Sequence, residues 1–284
     1  MSLRELVAEE LSTPVDPRVS GLAEAIAAKH APASRAVLFY GSCLREKQLD
    51  DLMLDFYLIV SDYRSAYSKR WLSVANRLIP PNVFYFEKAG LAAKYAVLSE
   101  ADFHRLNGPE TRSVSVWARF AQPSRLVWVA DLKARGRVID AVARAAPALL
   151  GAAGKREGEK PLDWWRRAFV LTYSAELRAE RKGRSVSVVD ADRDRFVRFT
   201  DAAADAIENA SRVSWRRRRL EGKLLSVARL AKASATFAGG ADYLAWKINR
   251  HAGTDIRLKP WQRRWPLLAA ISLLPRLLRS GAVR

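Results

Sequence analysis

An acidic residue inside an apolar run is the feature that most constrains the fold of this chain. Residues 54–60 read Leu-Asp-Phe-Tyr-Leu-Ile-Val, and Asp55 is the only charged residue among them. A mostly apolar run of this length predicts a buried, central strand. A carboxylate buried there costs several kcal/mol unless a cation or hydrogen bonds compensate it. The sequence therefore predicts a compensating group, such as a metal ion, beside Asp55.

A glycine-serine turn precedes this strand. Residues 35–40 read Arg-Ala-Val-Leu-Phe-Tyr, which predicts a short strand that ends at Gly41 and Ser42. Gly41 lets the backbone approach a triphosphate without a Cβ in the way, and Ser42 can donate hydrogen bonds to phosphate oxygens. Carboxylates on the next strand can hold Mg²⁺, which bridges the phosphates. This order of elements is the layout of the nucleotidyltransferase superfamily typified by DNA polymerase beta.

The carboxylate set predicted for the metal is incomplete. Strand residues two apart share a face, but Met53 stands two positions before Asp55. Asp51 shares that face at about 13 Å along an extended strand, so it contributes only if the chain bends there. Glu87, at the end of the next predicted strand, is a further candidate ligand. The alternative is an ordinary Gly-Ser turn followed by a salt-bridged strand acid.

The rest of the chain divides into an α/β part and a helical part. Strands are predicted at 82–87, 94–98 and 125–130, and helices at 63–79, 132–150, 162–182, 190–209 and 215–237. We therefore predict an α/β fold of the nucleotidyltransferase type, with a mixed sheet domain at residues 1–131. A helical domain at 132–254 and a basic amphipathic segment at 255–284 would follow.

Four motifs in this order resemble those of the mitochondrial translocator assembly and maintenance family. Tyr40-Gly-Ser with Met53-Leu-Asp-Phe is similar to its Tyr-Gly-Ser and Met-Leu/Ile-Asp-Phe pattern, and Ser61-Asp62 fits the end of that strand. Asn82-Val-Phe-Tyr with Lys94-Tyr-Ala-Val-Leu-Ser is similar to its Val-Tyr-Tyr-Asn and Lys-Tyr-Gly-Val-Ile-Ser. Trp117-Ala-Arg-Phe-Ala-Gln-Pro is similar to its Ala-Gly-Arg-Leu-Gln-Lys-Pro. The resemblance covers about residues 35–130.

The resemblance implies a peripheral phosphatidate cytidylyltransferase, which converts CTP and phosphatidate to CDP-diacylglycerol and pyrophosphate. Members of that family also lack the first acid of the usual pair, so Met53 is no departure within it. Tyr40, Gly41 and Ser42 would bind the nucleotide. The implied catalytic residues are Asp55, Lys94 and Arg119, and the implied Mg²⁺ ligands are Asp55, Asp51 and Glu87. Gln122 stands where the family often has a lysine, and the loop after Phe86 is shorter.

The charge distribution predicts an anionic partner. The net charge is +19, and residues 212–284 hold seventeen Lys/Arg and three Asp/Glu, so this last quarter carries +14 of it. Trp215-Arg-Arg-Arg-Arg and the stretch 265–278, flanked by basic residues and tryptophans, suit an anionic membrane surface. One cysteine, Cys43, favours a reducing compartment. We therefore expect a cytoplasmic protein, peripheral on the inner face of the membrane.

Two other functions fit parts of this pattern. Arginine and tryptophan together also suit RNA, so transfer to RNA or tRNA is an alternative reaction. The long aliphatic runs between the basic residues favour lipid, and a nucleic-acid partner is the weaker expectation. A non-catalytic membrane adaptor with an inactive nucleotidyltransferase fold is the third possibility, because Met53 replaces an acid.

Overall fold

The computed structural model describes residues 1–46, 49, 52–176, 188–207, 213–236 and 257–264. Asp51 lies outside these residues, as does most of the predicted membrane segment, including residues 265–278. The elements in chain order are α1 Leu3–Leu11, α2 Pro17–Ala28, β1 Ser34–Tyr40, α3 Ser42–Glu46, β2 Met53–Val60, α4 Tyr63–Ala66, α5 Arg70–Leu78, β3 Asn82–Lys88, β4 Leu91–Ser99, α6 Glu100–Asn107, α7 Trp117–Phe120, β5 Ser124–Val129, α8 Leu132–Ala143, α9 Ala145–Ala153, α10 Pro161–Ala175, α11 Arg193–Ala203, a 3₁₀ turn Ala204–Ala206, α12 Trp215–Thr236 and α13 Pro260–Arg264.

The five strands form one mixed sheet in the order β3-β4-β2-β1-β5. β2 pairs with β4 in parallel, and the other three pairs are antiparallel. β2 is therefore the central strand, as its apolar sequence predicts. The predicted mixed α/β fold is confirmed.

Helices cover both faces of the sheet, which explains why β2 is apolar on both sides. One face carries Phe39, Phe56 and Tyr95, which pack with α2 and α4. On the other face, Leu38 and Tyr57 belong to an apolar cluster that includes Trp165 of α10 and Phe196 of α11. Helices from the predicted second domain thus pack directly on the sheet. The predicted boundary at residue 131 stays a prediction.

Two predicted helices are each divided in the structure. The predicted helix at 63–79 is α4 and α5, separated by Tyr67, whose backbone is extended. The predicted helix at 132–150 is α8 and α9, with Arg144 between them. Residues 67–69 lie between α4 and α5, and Arg144 itself has helical backbone angles. Apolar spacing alone reads across such short interruptions, so the sequence did not reveal either break.

Helix α12 crosses the end of α10 at a glycine. A Cβ on Gly222 would overlap the carbonyl oxygen of Ala175. The helices therefore approach closely only because residue 222 has no side chain. This contact brings α12 against Glu176, the residue that follows α10.

Replacing this glycine tests how strongly α12 depends on the crossing. We expect Gly222→Ala to lower the free energy of unfolding by about 1–3 kcal/mol, because the new methyl forces the two helices apart. Gly21→Ala is the matched control, since a Cβ in the middle of α2 meets nothing within 4 Å and replaces a poor helix former. Urea denaturation followed by circular dichroism gives both values. Equal stability of the two variants would contradict the close crossing.

Candidate active site

Asp55 sits at the centre of a row of facing residues on one face of the sheet. It lies opposite Tyr40 of β1 and Lys94 of β4, and Lys94 lies opposite Tyr85 of β3. Directly opposite strand residues point to the same face. The pairing register therefore brings Tyr40, Asp55 and Lys94 together, although they are far apart in sequence.

The glycine of the Gly-Ser turn fits closely against the Asp55 carboxylate. Gly41 has φ +101°, a left-handed conformation that disfavours any side chain. A Cβ at this position would lie 2.9 Å from Oδ2 of Asp55. Ser42 directly follows and begins α3. The predicted proximity of the turn and the acid is present in the structure.

Asp55 is compensated by a lysine ammonium rather than by a guanidinium. Nζ of Lys94 lies 3.1 Å from Oδ1 of Asp55. The contact is an ion pair, and Oδ1 is buried without a hydrogen-bond partner in the described part of the chain. The Asp55 side chain as a whole is 19% exposed, so it is not sealed from solvent. A buried carboxylate oxygen without a hydrogen bond calls for an explanation, and a cation is one.

Of the two predicted metal ligands that the structure describes, Asp55 and Glu87, Asp55 has the surroundings that fit an ion. Met53 and Glu87 lie on the same face of the sheet as Asp55, two residues along their strands from the row that contains it. Glu87 is on β3 and Met53 is on β2, so two strand spacings, about 10 Å, separate them. The Glu87 carboxylate accepts a 2.7 Å hydrogen bond from the Tyr85 hydroxyl. Its role as a ligand stays a prediction. The described residues contain no group of three or more His, Cys, Asp or Glu suited to a metal.

The Asp55 site still fits Mg²⁺ that arrives with a nucleotide. Mg²⁺ keeps several waters and is held by one or two carboxylates together with substrate phosphates. Oδ1 of Asp55 would supply one such oxygen, and the Gly41 backbone approaches Oδ2 with no Cβ in the way. The residues present would thus bind an Mg²⁺–triphosphate complex rather than the free ion.

Arg119 faces the same row from α7. It donates a hydrogen bond to the carbonyl of Ser115 and lies 4.0 Å from the Glu176 carboxylate. Burial opposes its charge, but interactions with Tyr57, Glu176, Tyr40 and Asp55 outweigh this and raise its pKa. Burial, and then the charge of Asp55, raise the pKa of Tyr40. The site therefore presents a permanent cation and a neutral phenol.

A cavity of about 210 Å³ opens beside these groups, between the sheet and α12. Its lining includes Lys94 and Arg119, as predicted for the site, together with Arg229 and Lys232 of α12. The charge pattern of the sequence predicts a membrane surface, rather than a cavity, as the place for the cations of α12. The missed signal is helical spacing, because Arg218, Gly222, Arg229 and Lys232 fall on one side of α12. A glycine and arginines on the same side of α12 indicate that this side is buried and carries charged groups.

The cysteine beside the turn has a packing role. The Cys43 side chain is 3% exposed and its thiol donates to the Met53 carbonyl at 3.6 Å. It packs with Phe39 and Phe56, on the opposite side of the sheet from Asp55.

Comparisons with known proteins assign no family to this chain. The chain matches no protein-family model, and no curated protein matches it. Among solved structures it is similar to a nucleotidyltransferase-like protein from Exiguobacterium sibiricum 255-15, at 11% identity over 93% of this chain and 92% of that one, with a TM-score of 0.30. A similarity this distant assigns neither a reaction nor a substrate to this chain.

Proposed function

We propose that this protein is an Mg²⁺-dependent nucleotidyltransferase that transfers the cytidylyl group of CTP to phosphatidate at a membrane surface, forming CDP-diacylglycerol and pyrophosphate. The observation that carries the proposal is the Asp55 carboxylate, with Oδ1 lacking a hydrogen bond and Oδ2 against Gly41. The choice of CTP and phosphatidate depends on the sequence resemblance over residues 35–130.

Each residue of the site has a role that its position supports. Gly41 and Ser42 would hold the triphosphate, and Asp55 would hold Mg²⁺. The ion, when bound, offsets the charge that develops on the α-phosphate and on the leaving pyrophosphate. Lys94, which now pairs with Asp55, is close enough to neutralise a phosphate oxygen instead. Arg119 keeps its charge at every accessible pH and fixes phosphate orientation.

A direct assay tests the reaction and both alternatives. The full chain is incubated with each of four α-³²P nucleoside triphosphates, Mg²⁺, tRNA and vesicles with or without phosphatidate, and the lipids and the RNA are then recovered separately. We expect label in the organic phase with CTP and phosphatidate only, and none with EDTA. Label in tRNA but not in lipid would favour the RNA alternative. Vesicle binding without labelling of any acceptor would favour the adaptor.

An exposed face of α5 supports the membrane part of the proposal. Trp71, Val74 and Leu78 lie one or two helical turns apart on this helix and are 46%, 57% and 73% exposed. Arg70 and Arg77 flank this stripe on one side. An exposed apolar stripe with adjacent arginines is complementary to an anionic bilayer, because the side chains can enter the headgroup region while the guanidinium groups meet lipid phosphates.

A second exposed stripe lies on the nearby helix α12. Leu220, Leu224 and Val227 are 64%, 63% and 55% exposed on the side of α12 that faces away from the cavity. The two helices meet where Lys232 donates to the carbonyl of Ile79, the residue after α5. No helix among the described residues is long and apolar enough to cross a bilayer. An apolar surface spread over two helices suits attachment to one leaflet.

The α5 surface can be tested without changing the active site. We expect the double variant Trp71→Ser/Leu78→Ser to bind anionic vesicles at least tenfold more weakly, because most of the apolar stripe is lost. Turnover of a soluble short-chain phosphatidate should stay unchanged. Leu132→Ser is the matched control, since Leu132 is 84% exposed on α8. Vesicle flotation measures binding, and undiminished flotation of the double variant would exclude α5 from the contact.

A further inference from the structure

The cavity between the sheet and α12 is lined by more positive charge than the carboxylates described near it can neutralise. Among the described residues that line it are four cations, and no Asp, Glu or His. The carboxylates nearby are Asp55, paired with Lys94, and Glu176, which lies 4.0 Å from Arg119 and 3.8 Å from Arg229. In the part of the chain that the structure describes, two carboxylates therefore face four cations, and Glu176 lies near two guanidinium groups at once.

The two cations from α12 are held in place by neutral groups. Nε of Arg229 donates to the Pro80 carbonyl at 2.8 Å, and Nζ of Lys232 donates to the carbonyls of Ile79 and Pro81. Carbonyl oxygens orient a cation without cancelling its charge. The α5–β3 turn thus presents these side chains at the cavity while their charge remains available to an anion.

We infer that this cavity binds the phosphate of a phosphomonoester acceptor, with Arg119, Arg229 and Lys232 as its ligands. The role of this cavity as the acceptor site rests on the proposed function. Anion binding by the cavity does not depend on it. A volume of about 210 Å³ is below the roughly 300–1,000 Å³ of a typical pocket for a whole small molecule. It suits a phosphate group whose remaining substituent extends outward.

The lining favours a phosphate nucleophile over a hydroxyl. A hydroxyl acceptor such as RNA must lose a proton, and the described lining offers no carboxylate or imidazole to take it. A phosphomonoester has its second pKa near 6 and is a dianion at pH 7. One of its oxygens forms a bond to the α-phosphorus of the nucleotide, the bond from that phosphorus to the α–β bridging oxygen breaks, and pyrophosphate leaves with the electron pair. No proton has to be removed.

The cavity adjoins the row that contains Asp55, because Tyr40 and Lys94 of that row line it, and it extends from there along the strands. Tyr57, Ala96 and Val83 line it, and each lies two residues along its strand from the row that contains Asp55 and Lys94. Two residues are about 7 Å along a strand. The nucleotide, held at Gly41 and Asp55, and the acceptor phosphate would thus lie side by side on the sheet.

Lys232 gives the site a pH dependence. Burial, and then the charge of Arg229, lower its pKa to about 8. Arg119 and Lys94 are the other cations at the cavity, with Tyr40 and Tyr57 as the nearby phenols. Because neutral Lys232 attracts no anion, phosphomonoester affinity should fall about tenfold from pH 7 to pH 9. Lys232→Arg should bind with nearly constant affinity over this range, since its charge does not titrate there. The same fall in both proteins would assign it to another group.

Calorimetric titration of the full chain with a short-chain phosphatidate, below the concentration at which it forms micelles, tests the site. We expect Lys232→Met and Arg229→Gln each to weaken binding at least tenfold while leaving Mg²⁺–CTP binding within twofold. Asp55→Asn should instead weaken Mg²⁺–CTP binding at least tenfold and leave phosphatidate binding within twofold. Ala96→Leu reduces the cavity without changing its charge and should also weaken phosphatidate binding. A short-chain phosphatidylglycerol, which is a phosphodiester, is the ligand control.

The two possible sources of a terminal phosphate give different results. If the cavity instead takes the γ-phosphate of the nucleotide, Lys232→Met will weaken CTP binding and leave phosphatidate binding intact, which overturns the inference. Undiminished phosphatidate binding by folded Lys232→Met and Ala96→Leu overturns it as well. Failure of the cytidylyl assay with phosphatidate binding intact would refute the proposed reaction and leave the anion site standing.

Discussion

Asp55→Asn should reduce nucleotidyl transfer by at least a thousandfold. Asparagine keeps the size of the side chain and removes the negative charge that would hold Mg²⁺ among the phosphates. Glu87, the other predicted ligand among the described residues, lies two strands from β2 and in the next row, so it should not compensate for this loss. Charge stabilisation at a transferring phosphate contributes several kcal/mol, and about 4 kcal/mol corresponds to a thousandfold in rate.

The substitution should leave the fold intact. Lys94, the partner of Asp55, has a side chain that is 45% exposed, so it can turn to solvent when the carboxylate is gone. Asp131→Asn is the control, because it makes the same chemical change at the N-cap of α8, where asparagine caps equally well. Initial rates with CTP and phosphatidate vesicles measure the effect. A loss of less than tenfold would remove Asp55 from the reaction.

Gly41→Ala should have the second-largest effect, at least a hundredfold on transfer. The new Cβ would lie 2.9 Å from Oδ2 of Asp55, so the carboxylate or the turn has to move. The left-handed backbone at φ +101° adds about 1–2 kcal/mol of strain for any residue with a side chain. Both effects should displace the turn from the position in which it would face the phosphates of a bound nucleotide.

Gly90→Ala separates the backbone effect from the clash. Gly90 also has a left-handed backbone, at φ +76°, but a Cβ there meets nothing within 4 Å. Both variants should lose similar stability from backbone strain, and only Gly41→Ala should lose activity. Thermal melts and initial rates on the same preparations distinguish these effects. Equal activity of the two variants would show that the turn does not need its close approach to Asp55.

The sheet and its central acid could be predicted because their signals are local. An apolar run around Asp55 predicts a central strand, and the structure places β2 in the middle of five strands. Serine is a favoured N-cap residue, and the Ser99 hydroxyl caps α6 by accepting from the Asp102 N–H at 3.2 Å. In both cases the residues that determine the structure are neighbours in sequence.

The basic cavity could not be predicted, because it is assembled from distant parts of the chain. Lys94 and Lys232 line one cavity although 138 positions separate them. Their meeting depends on the parallel register of β2 and β4 and on the crossing of α12 over α10 at Gly222. Charge counting assigned the arginines of α12 to a surface, since it does not distinguish the outward side of a helix from the inward side.

The central claim is that Asp55 binds a divalent cation together with a triphosphate, and equilibrium titration of CTP in Mg²⁺ and in EDTA tests it most directly. Wild-type protein should bind CTP at least tenfold more tightly with Mg²⁺ than with EDTA, and Asp55→Asn should bind equally weakly in both. Equal affinity of the wild type with and without Mg²⁺, or an Mg²⁺ effect that survives in Asp55→Asn, would contradict the claim.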